Sequence, residues 1–495
     1  MNILVDSKPE SMNHIHFIKR RRLRKAFAWA MLLAIALGLR IGFAIRWPNL
    51  FHPDEIFQTL EPAHRLVFGY GAITWEWRMG IRSWVFPAFL AGIMRSAAWV
   101  SAAPSSYLDA IIVILSIISL STVWFGYAWA KRVSGRSAAI LAAGACTFYF
   151  GLIYFAPKAL SEVLATHVLL PGLYLGAYTK DIDERKRMLV AGILCGVAAS
   201  LRIQLIPAIA FSTVFFCYSR WRQRAPAIFA GLLLPVIAFG AVDWITWSYP
   251  LESFFHYYSA NVIEGRSLDF GSQPWYWYLL VLLAMLGPAI LFLWQGGRRT
   301  PFLAVFSLIV FVSHSVMGHK EFRFLYPILP LMLIMASIGF VECASSLKGR
   351  VNWPTSARAT VAVGIIFFAI SSIVCSLPLS FKWRKQPGGI YFADHLNQDS
   401  SLCGLGIFQI KWWATGGYTH LHRNIPIIPM EDASQLVDDG PAFNALVAPA
   451  DRKNVFANLN LIECKNGICL YRRAGTCSPP PQGQTVNEYL QRIGK

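Results

Sequence analysis

The sequence predicts an all-α polytopic membrane protein of about eleven transmembrane helices with a small α+β domain at the C-terminal end. Three observations support this fold class. Apolar residues make up 55% of the 495-residue chain and charged residues only 14%, whereas roughly 25% of a typical soluble domain is charged. Apolar runs of about the length needed to span a bilayer recur from residue 26 to residue 380. Beyond that point turn residues, charges and short alternating segments replace them.

The N-terminal segment, residues 1–25, ends in a basic cluster, and an apolar run follows from 26 to about 45. About twenty apolar residues can cross the hydrocarbon core, and no small-residue cleavage site follows the run. Because Lys and Arg concentrate in cytoplasmic loops, we predict that residues 1–25 are cytoplasmic and that the first outer loop covers 47–82.

The transmembrane domain is predicted to cover residues 26–380. The run 188–219 is too long for one helix, so we divide it near Arg202. The run 83–102 contains Arg95, and a charge at mid-bilayer costs roughly 2.5–3.5 kcal/mol, so we predict a re-entrant or interfacial segment there. The other runs lie at 108–130, 137–156, 160–179, 226–243, 274–295, 302–318, 324–343 and 359–380.

Lys and Arg outnumber Asp and Glu by 45 to 26. In a membrane protein such an excess marks cytoplasmic loops. The chain has neither zinc-finger spacing nor a basic repeat interleaved with aromatic residues, so we expect no nucleic-acid partner. The predicted cytoplasmic clusters lie at 131–136, 185–187, 220–224, 298–299 and 348–358.

Residues 381–495 are predicted to form the small non-cytoplasmic domain. The segment 461–471 has the pattern of a β-hairpin, with an Asn-Gly pair at 466–467 that suits a type I′ turn. This turn places Cys464 opposite Cys469 at a closely spaced pair, which suits a disulfide on an oxidising face. A metal site is the less favoured alternative, because no second Cys or His pair has ligand spacing.

The first outer loop is rich in carboxylates, histidines and arginines beside the predicted membrane face. A solvated loop that caps a helix is one interpretation, since acids favour helix N-termini. Its aromatic residues favour an interfacial segment instead. The candidate functional residues of this loop are His52, Asp54, Glu55, Glu61, Trp75, Glu76 and Arg82.

A second polar cluster, residues 318–326, is predicted to open to the same outer face. It contains His319, Lys320, Glu321 and Arg323. Interfacial anchoring is one interpretation, because Lys and Arg extend to the headgroups at span ends. The other is a lipid-phosphate site, where a carboxylate of the first outer loop acts as base and cations stabilise the leaving phosphate. Arg202, a charge within an apolar run, is a further candidate for this site.

Two long stretches resemble glycosyltransferase family 22, the dolichyl-phosphate-mannose-dependent α-mannosyltransferases. Residues 52–87 (HPDEIFQTLEPAHRLVFGYGAITWEWRMGIRSWVFP) are similar to the first outer loop of this family, and residues 318–331 (GHKEFRFLYPILPL) to its second signature. The TWEW and IRS motifs are most similar to the branch that adds the third mannose of GPI anchors. The stretch 417–423 also looks similar.

The resemblance implies a GT-C fold, an active site on the periplasmic or lumenal face, and an inverting transfer that forms an α-mannosidic bond. It implies a polyprenyl-phosphate sugar donor and a lipid-linked glycan acceptor, with no cofactor and no metal. Carried over by motif, Asp54 is the catalytic base and Glu55 the second candidate. The donor phosphate would be bound by His319, Lys320, Arg323, Arg82 and Arg202. Substrate would be positioned by His52, Glu61, Trp75, Glu76 and Glu321.

The chain departs from the family pattern at 158–162 and at 201–204, which leaves the donor sugar and acceptor open. Lys158 and Glu162, spaced i and i+4, are expected to form an ion pair. The alternatives are a different polyprenyl-phosphate sugar on the same scaffold, or a lipid-linked sugar transporter or flippase. A transporter would carry inverted repeats with broken helices, and no matching pair of interrupted spans is evident.

The chain has no Asn-x-Ser/Thr sequon. This fits a bacterial inner membrane as well as the endoplasmic reticulum, and we favour the former.

Overall fold

A computed structural model describes residues 9–177, 183–347, 356–380, 387–438, 442–455 and 459–494. The predicted domain boundary at 380/381, residues 1–8 of the N-terminal segment and residues 348–355 of the last predicted basic cluster lie outside this part of the chain.

The membrane part of the chain is helical, as predicted. Its α-helices are α1 (Pro9–Arg46), α2 (Glu61–Phe68), α3 (Trp75–Arg78), α4 (Val85–Ala98), α5 (Pro104–Phe148), α6 (Phe150–Phe155), α7 (Ser161–Ala177), α8 (Glu184–Leu201), α9 (Ile206–Cys217), α10 (Trp221–Thr246), α11 (Glu252–Tyr258), α12 (Trp277–Leu286), α13 (Leu293–Arg299), α14 (Pro301–Val316), α15 (Leu329–Leu347) and α16 (Ala357–Ser376). Short 3-10 or π-helical turns join several of them, including Glu55–Leu60, Ile203–Leu205, Gly287–Phe292 and Phe322–Ile328.

Among the described residues, six helical segments are long and apolar enough to cross a membrane. They are Ala26–Arg46, Pro104–Phe148, Trp221–Thr246, Trp277–Arg299, Phe322–Leu347 and Ala357–Ser376. The chain is therefore a multi-pass membrane protein. Shorter apolar helices, among them α9 and α14, accompany these six.

The structure explains three places where the apolar runs do not correspond to single spanning helices. Helix α4 has 14 residues, about 21 Å at 1.5 Å per residue, so the run 83–102 forms a helix shorter than the hydrocarbon core. Helix α8 ends at Leu201 and a 3-10 turn leads into α9, which confirms the predicted division at Arg202. Helix α5 is 45 residues long, but its backbone is not helical at Ser134 and Gly135. This break lies between two predicted runs.

Helices α8 and α10 approach closely through glycine. Gly192 and Gly196 form a G-x-x-x-G pattern on α8, opposite Gly231 on α10. A Cβ atom added at Gly192 would lie 2.3 Å from the carbonyl oxygen of Ile228, and one at Gly231 would lie 2.2 Å from that of Leu189. Small residues of this kind allow helix backbones to pack closely where lipid gives no hydrophobic driving force.

The C-terminal domain is a small α+β unit, as predicted. Its elements are α17 (Pro387–Leu396), β1 (Leu405–Phe408), α18 (Gly417–Leu421), β2 (Ile427–Met430), α19 (Gln435–Asp438), β3 (Ala445–Pro449), β4 (Asn460–Lys465), β5 (Ile468–Arg472) and α20 (Val486–Arg492). The strand order is β2-β1-β3-β5-β4. Strand β1 is parallel to both neighbours, whereas β5 is antiparallel to β3 and β4.

Two disulfides stabilise this domain. The residues at 466–467 both have positive φ, as a type I′ turn requires, and Cys464 pairs with Cys469 in the strand register and through a disulfide. A second disulfide joins Cys403 to Cys477, 74 residues apart in sequence. No local pattern relates these two cysteines, so the sequence did not predict their pairing.

The first outer loop and the C-terminal domain share one hydrophobic core. Phe57 and Leu60 of the loop belong to the same buried cluster as Leu90 of α4 and Ile407 and Leu470 of the sheet. The sheet is therefore fixed against the loop by apolar packing.

We expect Gly192→Ala to destabilise the protein by about 1–3 kcal/mol, because the added methyl group overlaps the Ile228 carbonyl and forces α8 and α10 apart. Gly144→Ala on α5 is the matched control, since its Cβ would meet nothing within 4 Å. Thermal unfolding of the detergent-solubilised protein measures both effects. Equal unfolding midpoints for the two variants would contradict the close packing.

Candidate active site

An open cavity of about 1170 Å³ lies where the first outer loop, the second polar cluster and the C-terminal domain meet. This volume exceeds the roughly 300–1,000 Å³ of common small-molecule sites. Most of the predicted site residues line it. They are His52, Asp54, Trp75, Glu76, Arg82, Arg202, His319, Lys320, Glu321 and Arg323.

Asp54 and Arg323 meet in this cavity. Asp54 precedes the π-helical turn Glu55–Leu60, a backbone form that is frequent at functional sites. Its carboxylate accepts a hydrogen bond from the guanidinium of Arg323. The Asp54 side chain is 36% exposed and that of Arg323 only 3%. The acid is thus open to the cavity, while the cation that holds it is buried.

Arg323 is surrounded by carboxylates from separate segments. Besides Asp54, its guanidinium donates to Glu162 over 3.0 Å and to Glu321 over 2.7 and 2.8 Å. Glu162 is buried at the start of α7 and also lies 3.9 Å from Arg202. The cluster therefore brings two arginines against three acids.

The expected ion pair between Lys158 and Glu162 is wrong. Lys158 pairs instead with Glu55, with 2.9 Å between Nζ and Oε2. Helix α7 begins only at Ser161, so Lys158 precedes the helix and the i, i+4 geometry does not apply. Glu55 also accepts a hydrogen bond from the amide of Ala159 and does not line the cavity. Of the two adjacent acids, Asp54 lines the cavity and Glu55 does not.

Charge pairing also fixes the ionisation of the loop residues. Burial would raise the pKa of Glu321, but Arg323 and His319 hold this pKa well below its usual range. The hydrogen bond to Glu321 raises the pKa of His319. Burial raises the pKa of Glu76, although Arg82 lies 2.6 Å away. The His319–Glu321 pair is thus favoured in its ionised form.

Lys320 has a different environment from the other cations. It lines the cavity, but its ammonium donates to the carbonyl oxygens of Gln273, over 3.0 Å, and Met317. Burial lowers the pKa of Lys320. Its expected contact with a phosphate must therefore compete with these carbonyls, and its evident role is to hold the loop.

The expectation that Glu61 positions substrate is corrected by the structure. Glu61 is fully buried outside the cavity lining. Its carboxylate accepts hydrogen bonds from the amides of Ala72, Tyr418 and Thr419 over 2.8 to 3.0 Å and from the Thr419 hydroxyl over 2.5 Å. Glu61 therefore fastens α18 of the C-terminal domain to the first outer loop.

The C-terminal domain also lines the cavity, which the sequence does not predict. Its contribution to the wall includes Gln409, Trp412, Trp413, Met430, Glu431 and Tyr489. The only signal for a contact between this domain and the loop was the stretch 417–423, which now proves to contain the partners of Glu61.

The family that matches this chain and the two relatives described next are mannosyltransferases. Residues 29–402 match the model of the Alg9-like mannosyltransferase family. GPI mannosyltransferase 3 of Yarrowia lipolytica is 24% identical over 407 residues, covering 80% of this chain and 76% of that protein. GPI alpha-1,2-mannosyltransferase 3 of Mus musculus is 26% identical over 444 residues, covering 81% and 73%.

Among solved structures, ArnT from Cupriavidus metallidurans bound to undecaprenyl phosphate is similar, with a TM-score of 0.64. The sequence identity is 13%, and the match covers 92% of this chain and 100% of that one. This likeness shows the fold, which is the GT-C type that the sequence predicts.

We expect Glu61→Gln to weaken the attachment of the C-terminal domain by about 1.5–3 kcal/mol. The NH₂ group of glutamine would face backbone N–H groups that now donate hydrogen bonds to the carboxylate, and two donors cannot pair. The exposed Glu264 provides a matched control, Glu264→Gln. Limited proteolysis of the domain and the unfolding midpoint are the measurements. Unchanged protease resistance in Glu61→Gln would exclude the fastening role.

Proposed function

The chain belongs to the Alg9-like mannosyltransferase family, and from this membership we propose that it moves a mannosyl residue from a polyprenyl-phosphate mannose to a lipid-linked glycan. The transfer inverts the anomeric centre and forms an α-mannosidic bond. Relatives named GPI alpha-1,2-mannosyltransferase and a structural neighbour bound to undecaprenyl phosphate support this choice of substrates. The single observation that carries the proposal is an accessible acid, Asp54, held by a buried arginine in a cavity large enough for two substrates.

In the proposed reaction, Asp54 takes the proton of the acceptor hydroxyl as the hydroxyl oxygen bonds to C1 of the sugar. The bond from C1 to the phosphate oxygen breaks, and the electron pair leaves with the polyprenyl phosphate. A positioned general base contributes typically about 10²–10⁴-fold to the rate. Arg323 orients Asp54, and the other cations stabilise the charge that develops on the phosphate.

Arg202 and Arg82 are the cations best suited to hold that phosphate. Arg323 already donates to three carboxylates, whereas Arg202 has a single distant carboxylate contact at 3.9 Å and packs over the Phe324 ring. Arg82 has one carboxylate partner among the described residues, Glu76, at 2.6 Å. His319 is a third candidate, since its interaction with Glu321 favours the protonated ring.

The proposed site faces away from the cytoplasm. Disulfides form in oxidising compartments, and the domain with both disulfides is part of the cavity wall. We propose residues 26–380 as the catalytic membrane domain and 381–495 as the periplasmic or lumenal domain. The bacterial inner membrane is our proposed location. The transporter alternative is not favoured, because the matching family consists of transferases.

Asp54→Asn should lower mannosyl transfer by about 10²–10⁴-fold, because the amide cannot accept the proton. The matched control is Glu55→Gln, which changes the adjacent acid outside the cavity and should retain activity within tenfold. Transfer from radiolabelled polyprenyl-phosphate mannose in membranes measures both. If Asp54→Asn keeps wild-type transfer, Asp54 is not the base.

Arg202→Gln should lower kcat/KM for the donor by about 10- to 100-fold, since a charge-assisted hydrogen bond to phosphate is worth roughly 1.5–3 kcal/mol. Arg299→Gln is a suitable control, because Arg299 pairs with Glu342 outside the cavity. Initial rates over a range of donor concentrations test the difference. Identical donor kinetics in the two variants would remove Arg202 from the phosphate site.

A further inference from the structure

The carboxyl ends of two parallel strands open into the cavity. Strand β1 is followed by Gln409 and strand β2 by Glu431, and both residues line the cavity wall. Strand β1 is parallel to both of its neighbours, so the carboxyl ends of β1 and β2 lie at the same edge of the sheet. Ligands of open α/β sheets bind outside the carboxyl ends of parallel strands. This sheet therefore presents the carboxyl ends of β1 and β2 to the site of Asp54.

The backbone at this edge is held in an unfavourable conformation. Gln409 has φ of 49°, in the left-handed region that favours glycine. Its amide donates to the carbonyl of Met430 over 2.9 Å, and its side-chain amide donates to the carbonyl of Glu431 over 3.1 Å. Residues held in this way are strained and cluster at ligand sites. The contacts project the segment 409–413 into the cavity.

Aromatic and polar side chains lie together along the edge. Trp412 and Trp413 line the cavity, and the Trp412 ring packs on Phe57 with 4.5 Å between centroids. Phe57 lies three residues after Asp54. The Tyr489 hydroxyl donates to the Glu431 carboxylate over 2.7 Å. A sugar ring presents an apolar C–H face to an aromatic ring and hydroxyls to carboxylates and amides, so this composition suits carbohydrate.

The other side of the cavity has a different character. Arg82, Arg202 and Arg323 belong to the membrane domain and suit an anion. The C-terminal domain adds one lysine, Lys411, but no arginine to the described lining residues. A lipid phosphate would thus meet the arginine side of the cavity, and a glycan the side that holds Trp412. Asp54 pairs with Arg323 and lies three residues before Phe57, on which Trp412 packs.

We propose that the sheet edge, residues 409–413 and 429–431, binds the sugar chain of the acceptor. Trp412 packs on a sugar ring, and Glu431 and Gln409 bind its hydroxyls. The inference rests on the proposed function and extends it: the membrane domain binds the donor, and the C-terminal domain determines which glycan receives the mannose.

Acceptor kinetics of the full chain test the proposal with octyl α-mannosides of one, two and three sugars. Trp412→Leu should lower kcat/KM for the best acceptor about tenfold and remove the preference among the three, with donor KM unchanged within twofold. Trp412→Phe keeps an aromatic face and should restore most of the loss. Trp99→Leu, at a side chain that is 80% exposed outside the cavity, is the control. Equal changes in donor and acceptor kinetics, or no change in either, would overturn the proposal.

A second variant decides the test if the first does not fold, and a binding measurement decides it without mannosyl transfer. If Trp412→Leu does not fold, Glu431→Gln decides, with the same expected loss for acceptor alone. Binding of the trisaccharide glycoside to the full chain is followed by intrinsic tryptophan fluorescence. Binding that weakens about tenfold in the edge variants supports the inference. If wild type transfers no mannose, the proposed function is refuted, but this binding result still supports the inference. Wild-type affinity in both edge variants refutes the inference.

Discussion

The arrangement of the site depends on one buried guanidinium. Arg323 is almost wholly removed from solvent, and an unpaired charge in such a place would be strongly destabilising. Its carboxylate partners come from three segments: the first outer loop, the start of α7 and its own loop. Because the same guanidinium donates to all three carboxylates, these segments are held in one relative position. The accessible Asp54 owes its placement to that requirement.

Charge balance also explains how many charged side chains can line a cavity beside a membrane. Arg82 is paired with Glu76, and Arg202 and Arg323 share Glu162. Together with Asp54 and Glu321, these groups make four carboxylates against three arginines. The site is thereby arranged without a large excess of positive charge.

Local chemistry determined what the sequence could predict. Hydropathy and span length predicted the helical membrane domain, Arg202 predicted the division between α8 and α9, and the Asn-Gly turn predicted the pairing of Cys464 with Cys469. Motif similarity selected both Asp54 and Arg323 as site residues, and the structure adds that they pair across 269 residues. The role of Glu61 could not be predicted, because its partners at 418–419 are joined to it only through tertiary packing. The predicted ion pair between Lys158 and Glu162 is wrong because Lys158 precedes the first residue of α7 and is not helical.

The common core of the first outer loop and the C-terminal sheet has an evolutionary consequence. Phe57 and Leu60 pack with Ile407 and Leu470 in one cluster, and Glu61 seals the same boundary. A lineage that acquires a new terminal domain by recombination must therefore inherit the matching loop with it, or else expose apolar surface at the junction. The two segments that must change together, the first outer loop and the C-terminal domain, are therefore far apart in the gene.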